Sequence, residues 1–510
     1  TTLFEVLLER SAPPISAQLT PGLWLAGLAL GVTVALLGTL LPAWEASRVS
    51  PLASLRGSRL VDRRGVRLML WSLAALPLLG LAAALLLPAH GALPGALIGA
   101  TALALGGALL CPAAVWLLST AVTGALRQLL GAVGLLAGRN LARSTSRLGL
   151  AAASLMVALA LALAIQITVR SFRQTFLLWL NQAITADLYL SPATPGRDAR
   201  FPMQLVPELR RQPFVRDFAE LTLRRVLLAG QEALVAGINV DIFARTSSLP
   251  MVEGDPARAL AQLRGGAAWV SETLAYPLGL HAGDALTLPT GQGPRQVQVA
   301  AVVQNYSVPT GIVYLDQATY SRLLGPQVPR EAAIWLNPGT SVEAAQQALE
   351  SLPDARLLSI TPNRLLRQEA LRAFDRTFAI TGLMGGLATL VAFIAMISAL
   401  TALLHERQRI QGYLRAIGVS RRVLGTSLAL EAALLALAAA LMSWGVGLLM
   451  AAVLVFVINK RAFGWSLQFL PASGGYLGLL ALALAAALLG TLYPLWRSTR
   501  GSFLATIREE

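Results

Sequence analysis

Lysine, cysteine and histidine are nearly missing from this chain. Its 510 residues include one lysine (Lys460), one cysteine (Cys111) and three histidines (His90, His281, His405). A phosphate loop needs Gly-Lys-Ser/Thr, with the lysine reaching the phosphates. Here Asn459 precedes the lone lysine and Arg461 follows it, so ATP chemistry has to be sought on another polypeptide. A single cysteine excludes an intrachain disulfide. The histidines lack Cys or carboxylate neighbours at ligand spacing and do not read as a metal site. No Gly-x-Ser-x-Gly elbow appears either. Charge is scarce too: 13% of residues are charged and 55% are hydrophobic.

The apolar residues come in blocks: Leu23–Leu41, Leu68–Pro88, Leu93–Leu118, Leu148–Val169, Phe378–Leu404, Ser427–Ile458 and Gly474–Leu495. Each reaches the roughly 20 residues that a helix needs to cross about 30 Å of hydrocarbon. A helix also satisfies its own backbone polar groups in lipid. The expected fold is therefore a polytopic α-helical membrane protein. Glu431, the one ionisable candidate within these blocks, lies near a block end and reads as an interhelix or interfacial carboxylate rather than a proton relay.

The net charge of +15 would suggest nucleic acid in a soluble protein, but its distribution argues otherwise. Residues 170–376 hold 20 Arg against 18 Asp plus Glu, nearly balanced. The excess lies in short connections after the first block (Arg48 to Arg67), before the fourth (Arg127 to Arg147), after the fifth (Arg407 to Arg422) and after the last. The opposite connections carry little charge. By the positive-inside rule this alternation places the C-terminus in the cytoplasm and residues 170–376 outside. Nucleic acid is not an expected partner; membrane lipid is.

Leu37-Gly38-Thr39-Leu40-Leu41-Pro42-Ala43-Trp44, with Arg48, Ser50 and Leu52-Ala53-Ser54-Leu55-Arg56, recurs near the C-terminus. There it reads Leu489-Gly490-Thr491-Leu492-Tyr493-Pro494-Leu495-Trp496, with Arg500, Ser502 and Leu504-Ala505-Thr506-Ile507-Arg508, at one constant offset. Chance similarity of Leu/Ala-rich helices would not also align Pro, Trp, two Arg and a Ser. A duplicated protein is expected, with about seven visible transmembrane helices of about ten, the chain being an N-terminally truncated portion. The expected divisions are 1–56 (last helix of a first half and its tail), 57–126 (linking hairpin), 127–169 (amphipathic elbow and transmembrane helix), 170–376 (outer domain with helical stalks) and 377–510 (second three-helix module).

Within 170–376 the pattern shifts to short strands and capped helices, the inserted α+β extracytoplasmic domain. Leu221–Ala229 and Ala233–Val240 around Gly230-Gln231-Glu232 read as a hairpin, as do Ala285–Leu288 and Gln296–Gln304 around Gly291-Gln292-Gly293-Pro294. Thr340-Ser341-Val342-Glu343 is a capping box, and Asp316 is placed to cap 317–324. Ser171–Asn181 and Asn363–Arg376 are helical in period and abut the spans without a Gly/Pro/Ser linker. This suggests a rigid two-helix stalk.

Between the fifth and sixth blocks, Ile410, Tyr413, Leu414 and Ile417 form an i, i+3, i+4, i+7 stripe opposite Arg407, Gln411 and Arg415. Periodicity alone fits a helix lying on headgroups or one docking in a partner's groove. Glu406-Arg407-x4-Gly412-x-Leu414-Arg415-Ala416-Ile417-Gly418-x-Ser420 resembles the coupling-helix signature of FtsX-like permeases of the MacB/lipoprotein-release (type VII, mechanotransmission) ABC transporter superfamily. Ala137-Gly138-Arg139-Asn140-Leu141-x-Arg143 is similar to that family's elbow. Pro-x-Trp-x3-Arg at Pro42 and Pro494 is similar to the end of its last helix. Val270-Ser271-Glu272-Thr273-Leu274-Ala275, Gly283-Asp284 and Val313-Tyr314-Leu315-Asp316 look like its periplasmic domain. One departure is Ile410-Gln411-Gly412, where the family usually has Glu-Ile-Gly.

The resemblance implies a non-enzymatic permease subunit in the bacterial inner membrane, with residues 170–376 periplasmic. A separate cytoplasmic ABC ATPase dimer would hold ATP and Mg, leaving no cofactor in this chain. The coupling residues would be Glu406, Arg407, Arg409, Ile410, Gly412, Tyr413, Leu414, Arg415, Ile417 and Gly418, on a helix spanning 405–420. Lipoprotein, lipid or other hydrophobic cargo, with a periplasmic protein or lipoprotein as partner, is one expectation. An FtsX-like or antibiotic-sensing regulatory complex is the other.

Overall fold

In a computed structural model the described residues run 64–88, 91–193, 201–406 and 418–471, with scattered helical positions within 21–36 and 477–488. Among them, three helical stretches are long and apolar enough to cross a membrane: Leu93–Thr145, Leu148–Ala183 and Arg422–Phe463. A shorter apolar stretch covers Leu70–Leu86. The expectation of seven spans is thus met only in part. Most of the blocks Leu23–Leu41 and Gly474–Leu495 lies outside the described residues, and the fifth block lies within the helix ending at Glu406.

Helix α1 (Arg64–Leu86) leads to α2 (Leu93–Ala183). α2 is interrupted at Gly131, whose φ of 58° and ψ of −130° fall outside the helical region and suit a residue without Cβ. The chain reverses there into a helical hairpin. A Cβ on Gly149 would come 2.7 Å from Pro112, and one on Gly138 would collide with Thr123, so small residues let the two arms touch. The elbow and transmembrane helix expected at 127–169, with the elbow motif at 137–143, form continuous helix from the reversal at Gly131 onwards.

The strands that follow form one mixed sheet ordered β10-β1-β9-β2-β3-β8-β5-β7-β4, with β6 beside β7. β1 is Leu188–Pro192, β2 Val215–Leu228, β3 Gln231–Ile238, β4 Met251–Glu253 and β5 Ala268–Ser271. β6 is Ala285–Thr290, β7 Gly293–Val303, β8 Ile312–Asp316, β9 Glu331–Leu336 and β10 Leu358–Pro362. The 14-residue β2 joins two lobes: its first half pairs with β9 and its second half with β3. Leu188, Leu190, Phe218, Ile334 and Leu349 fill one lobe; Val235, Val270, Leu288, Val313 and Tyr320 are in the other.

Helices α3 (Glu272–Leu278), α4 (Gln317–Leu324) and α5 (Val342–Glu350) cover the sheet's connections. Asp316 caps α4 by accepting from the Ala318 amide at 3.1 Å, and Ser341 caps α5 by accepting from Ala344 at 3.1 Å. Both hairpins form, with shorter turns than expected. Leu228 pairs with Gln231 and Thr290 with Gly293, leaving two residues in each turn. At the first turn Ala229 and Gly230 both have positive φ (46° and 84°), the conformation that a two-residue hairpin loop matching strand twist requires.

Two further long helices complete the described fold, α6 (Asn363–Glu406) and α7 (Arg421–Ala452). After α7 come a π-helical turn, Val453–Ile458, and the short α8 (Asn459–Phe463). A buried bundle core joins α2 to α7 through Met156, Leu159, Leu163, Leu435 and Ala439. There Val446 lies against Gly107, and Gly447 lies against the Ala160 carbonyl.

Candidate functional site at the domain–span junction

Helices α2 and α6 join the inserted domain to the spans, and neither breaks on the way. The 36 residues Leu148–Ala183 extend about 54 Å at 1.5 Å per residue, well beyond a 30 Å hydrocarbon layer. α6 has 44 residues. α2 feeds β1 and β10 feeds α6, and β1 and β10 are antiparallel neighbours with Leu188 opposite Pro362. The two helices therefore leave the sheet side by side.

Polar contacts bind them where they meet the sheet. The Asn363 amide donates to the carbonyls of Ala186 (2.6 Å) and Ile184 (3.2 Å). Arg367 donates to Asn181 Oδ1 at 2.7 Å and to the Ile184 carbonyl at 2.8 Å. A guanidinium at the C-terminal end of α2 fills acceptors that a helix end leaves open and complements its dipole. About two turns nearer the membrane, from Arg367 to Phe374, the contact becomes aromatic. Phe374 lies 5.3 Å from Phe172, 5.8 Å from Phe176 and 4.4 Å from Phe378, centroid to centroid. Arg173 and Asp375 pair alongside at 3.1 Å, exposed enough to contribute little.

A third segment locks onto this stalk. Residues 464–471, after α8, run across α2 and the domain. The Gln468 amide donates to Thr175 Oγ1 and the Leu470 amide to Ser171 Oγ, both at 3.0 Å, and both hydroxyl residues are buried. Trp465 lies tilted 5.4 Å from Phe172 and meets Tyr306 edge-on at 5.6 Å. Tyr306 donates its hydroxyl to the Ser466 carbonyl at 2.7 Å, and the Ser466 amide donates to Glu272 Oε1 at 3.0 Å. Gly464, with φ of 71°, lets the backbone come within van der Waals reach of Thr273. Burial pushes the Glu272 carboxyl up to about 7, with the Ser466 amide, the Ser466 hydroxyl and Lys460 acting the other way. From the same connection Arg461 donates to the carbonyls of Leu85 (3.0 Å) and Pro88 (2.6 Å), closing the end of α1. None of these contacts was anticipated from sequence.

Below the aromatic cluster, α2 and α6 diverge around a cavity of about 910 Å³. Leu159, Gln166, Phe393 and the flat surface at Gly382, Gly385 and Gly386 line it, and Arg170 and Arg173 stand at its domain end. Apolar walls under a basic mouth are complementary to an acyl chain with an anionic or polar head.

Of the expected coupling residues, Glu406 ends α6, and Gly418 has φ of 100° two residues before Ser420, the cap of α7. Arg407, Arg409, Ile410, Gly412, Tyr413, Leu414, Arg415 and Ile417 lie outside the described residues. Glu431 is buried on α7, and Asn140 of the elbow motif donates to its Oε1 at 2.9 Å, an interhelix contact. His281 pairs with Glu253 at 3.0 Å on the domain surface.

Comparison with known proteins gives two family matches. Residues 148–352 match the MacB-like periplasmic core domain and residues 382–503 the FtsX-like permease C-terminal domain. An uncharacterized ABC transporter permease protein of Mycobacterium tuberculosis is 32% identical over 498 residues, an alignment covering 95% of this chain. The chain spans 58% of that relative's length. Among solved structures, the periplasmic region of MacB from Actinobacillus actinomycetemcomitans is 13% identical with a TM-score of 0.28, covering 36% of this chain and 92% of that one. The extracellular domain of the noncanonic ABC-type transporter YknZ from Gram-positive bacteria is 15% identical with a TM-score of 0.26, covering 35% of this chain and 99% of that one.

Proposed function

From a chain that carries both a MacB-like periplasmic core domain and an FtsX-like permease C-terminal domain, we infer the permease part of an ABC transporter that turns ATP hydrolysis by a separate cytoplasmic ATPase dimer into motion of its periplasmic domain. The observation that carries this reading is the pair of unbroken helices that leave adjacent strands and continue into the spans. A linker of Gly and Ser would dissipate displacement; two packed helices transmit it. The apolar stripe Ile410, Tyr413, Leu414 and Ile417 supplies the ATPase contact, and Gly418 and Ser420 connect it to α7. ATP and Mg belong to the partner, because this chain has no phosphate loop. The arginine-rich connections support a cytoplasmic C-terminus, and the family resemblance implies the bacterial inner membrane.

The cavity between α2 and α6 supports a hydrophobic cargo. A lipid, lipoprotein or other acylated molecule fits walls of Leu159 and Phe393 beneath Arg170 and Arg173. Each basic residue near an anionic lipid surface contributes about 1 kcal/mol. Replacing both arginines by glutamine should therefore reduce capture of a photoreactive anionic phospholipid roughly 30-fold at subsaturating lipid. Labelled residues should map to the cavity in the parent protein. Equal labelling of parent and variant, or labelling spread over the lipid-facing surface, would remove the cavity from the cargo path.

A further inference from the structure

We propose that Glu272 is the acid-responsive hold of a latch that fastens the 464–470 loop to the inserted domain: protonated, it keeps the loop docked, and ionised, it loosens it. The inference rests on reading the junction as a transmission path, but concerns how firmly that path is closed.

The carboxylate lies at the start of α3 and is 4% exposed. Its Oε1 accepts from the Ser466 amide, and the Ser466 hydroxyl also favours the ionised carboxylate, while its Oε2 is buried with no hydrogen-bond partner among the described residues. An ionised carboxylate with one oxygen unpartnered and out of water is costly, and gaining a proton or returning to solvent relieves it. The surroundings offer little else. Among the described residues Lys460 of α8 is the one cation that faces it, held 5.6 Å above the Tyr276 ring. The Tyr306 hydroxyl faces it from the segment after β7 and is committed to the Ser466 carbonyl. The neighbouring hydroxyls of Ser271 and Thr273 bond to each other at 2.8 Å. Solvent reaches Glu272 once the loop lifts, since Gly464 and Ser466 are the backbone that covers it.

The direction of the effect follows from linkage. An exposed glutamate titrates near 4.5 and the docked one near 7. Docking is therefore strongest below about 4.5, weakens about tenfold per pH unit as pH rises towards 7, and levels off above. Acid in the outer compartment closes the latch; neutral solution frees it.

Hydrogen–deuterium exchange of peptides covering 464–470, in the full chain in nanodiscs and expressed as protection factors between pH 5 and 8, reads docking without any ATPase. The expected result is protection that falls about tenfold per unit from pH 5 to 7 and then flattens. Glu272→Gln, a neutral isostere that keeps the acceptor, should hold protection constant across the range. Lys460→Met removes the one stabilising cation and should carry the fall beyond pH 7. Wild-type protection that does not vary with pH, Glu272→Gln tracking the wild type, or an unshifted plateau in Lys460→Met would each overturn the proposal. If Glu272→Gln does not fold, Lys460→Met alone decides. Failure here would leave ATPase coupling standing, whereas failure of coupling would leave these protection factors unchanged.

Discussion

Aspartate at both Ile410 and Leu414 is expected to abolish co-purification of the chain with the proposed partner ATPase. These residues are four apart in the sequence stripe Ile410, Tyr413, Leu414, Ile417. Docking of an amphipathic helix draws its energy from a few such anchors buried in the partner's groove. Each anchor contributes about 2 kcal/mol or more, so losing two weakens association by roughly a thousandfold, enough to empty a pull-down at micromolar concentration. Charge reversal at Arg407, which shares the opposite face with Arg415, should cost far less. Thermal unfolding of the inserted domain should be the same in all three proteins, since residues 407–417 fall outside it. Retained ATPase binding in the double aspartate variant would exclude this helix as the docking element and leave the headgroup-resting alternative.

Phe374→Ala should have the second largest effect, at the opposite end of the path. The ring is 8% exposed and contacts Phe172, Phe176 and Phe378. Removing a buried phenyl group from a packed site costs about 3–5 kcal/mol, because the surrounding rings cannot fully collapse into the void. The loss falls on the packing of α2 against α6, since Asn363 and Arg367 still bond to the end of α2 above it. The expected outcome is a lower melting temperature, with ATPase binding retained and nucleotide-driven movement of the domain reduced. Phe374→Leu, which keeps most of the volume, should recover most of both. If the alanine variant keeps full movement, transmission does not run through this contact.

Much of the inserted domain was legible because its signals are local. Asp316 and Ser341 cap the helices that follow them, and Gly230 marks a hairpin turn. The turn lengths were misjudged because Ala229, a residue that ordinarily avoids positive φ, takes half of the first turn. The reversal at Gly131 was missed for a related reason: glycine is common within apolar helices, and Gly131 looks no different from Gly134 in sequence. The FtsX-like and MacB-like resemblance was readable from the quoted motifs and matches the domains found at 148–352 and 382–503.

The clasp at 464–471 was illegible on different grounds. Three of its anchoring donors are the backbone amides of Ser466, Gln468 and Leu470, which any sequence would supply. Their acceptors, Glu272, Thr175 and Ser171, lie far away in the chain and read as surface polar residues until folding buries them. Periodicity reports which face of a helix is apolar; it does not report which loop a hydroxyl on that helix will hold. The cavity between α2 and α6 escaped for the same reason, since it is a property of two helices separated by more than two hundred residues.

The most direct test of the account is a distance measured across the junction in the assembled transporter. Cysteines introduced at Arg258, exposed on the domain, and at Arg422, exposed at the start of α7, can carry spin labels, the native Cys111 being buried. Pulsed electron paramagnetic resonance would compare the nucleotide-free complex with one trapped in the ATP-bound state. Trapping should shift the distance distribution by several ångström, a shift suppressed by Phe374→Ala and absent when Ile410 and Leu414 are aspartate. Identical distributions with and without ATP, in a complex shown to hydrolyse it, would contradict the claim that the stalk carries motion from the ATPase to the periplasmic domain.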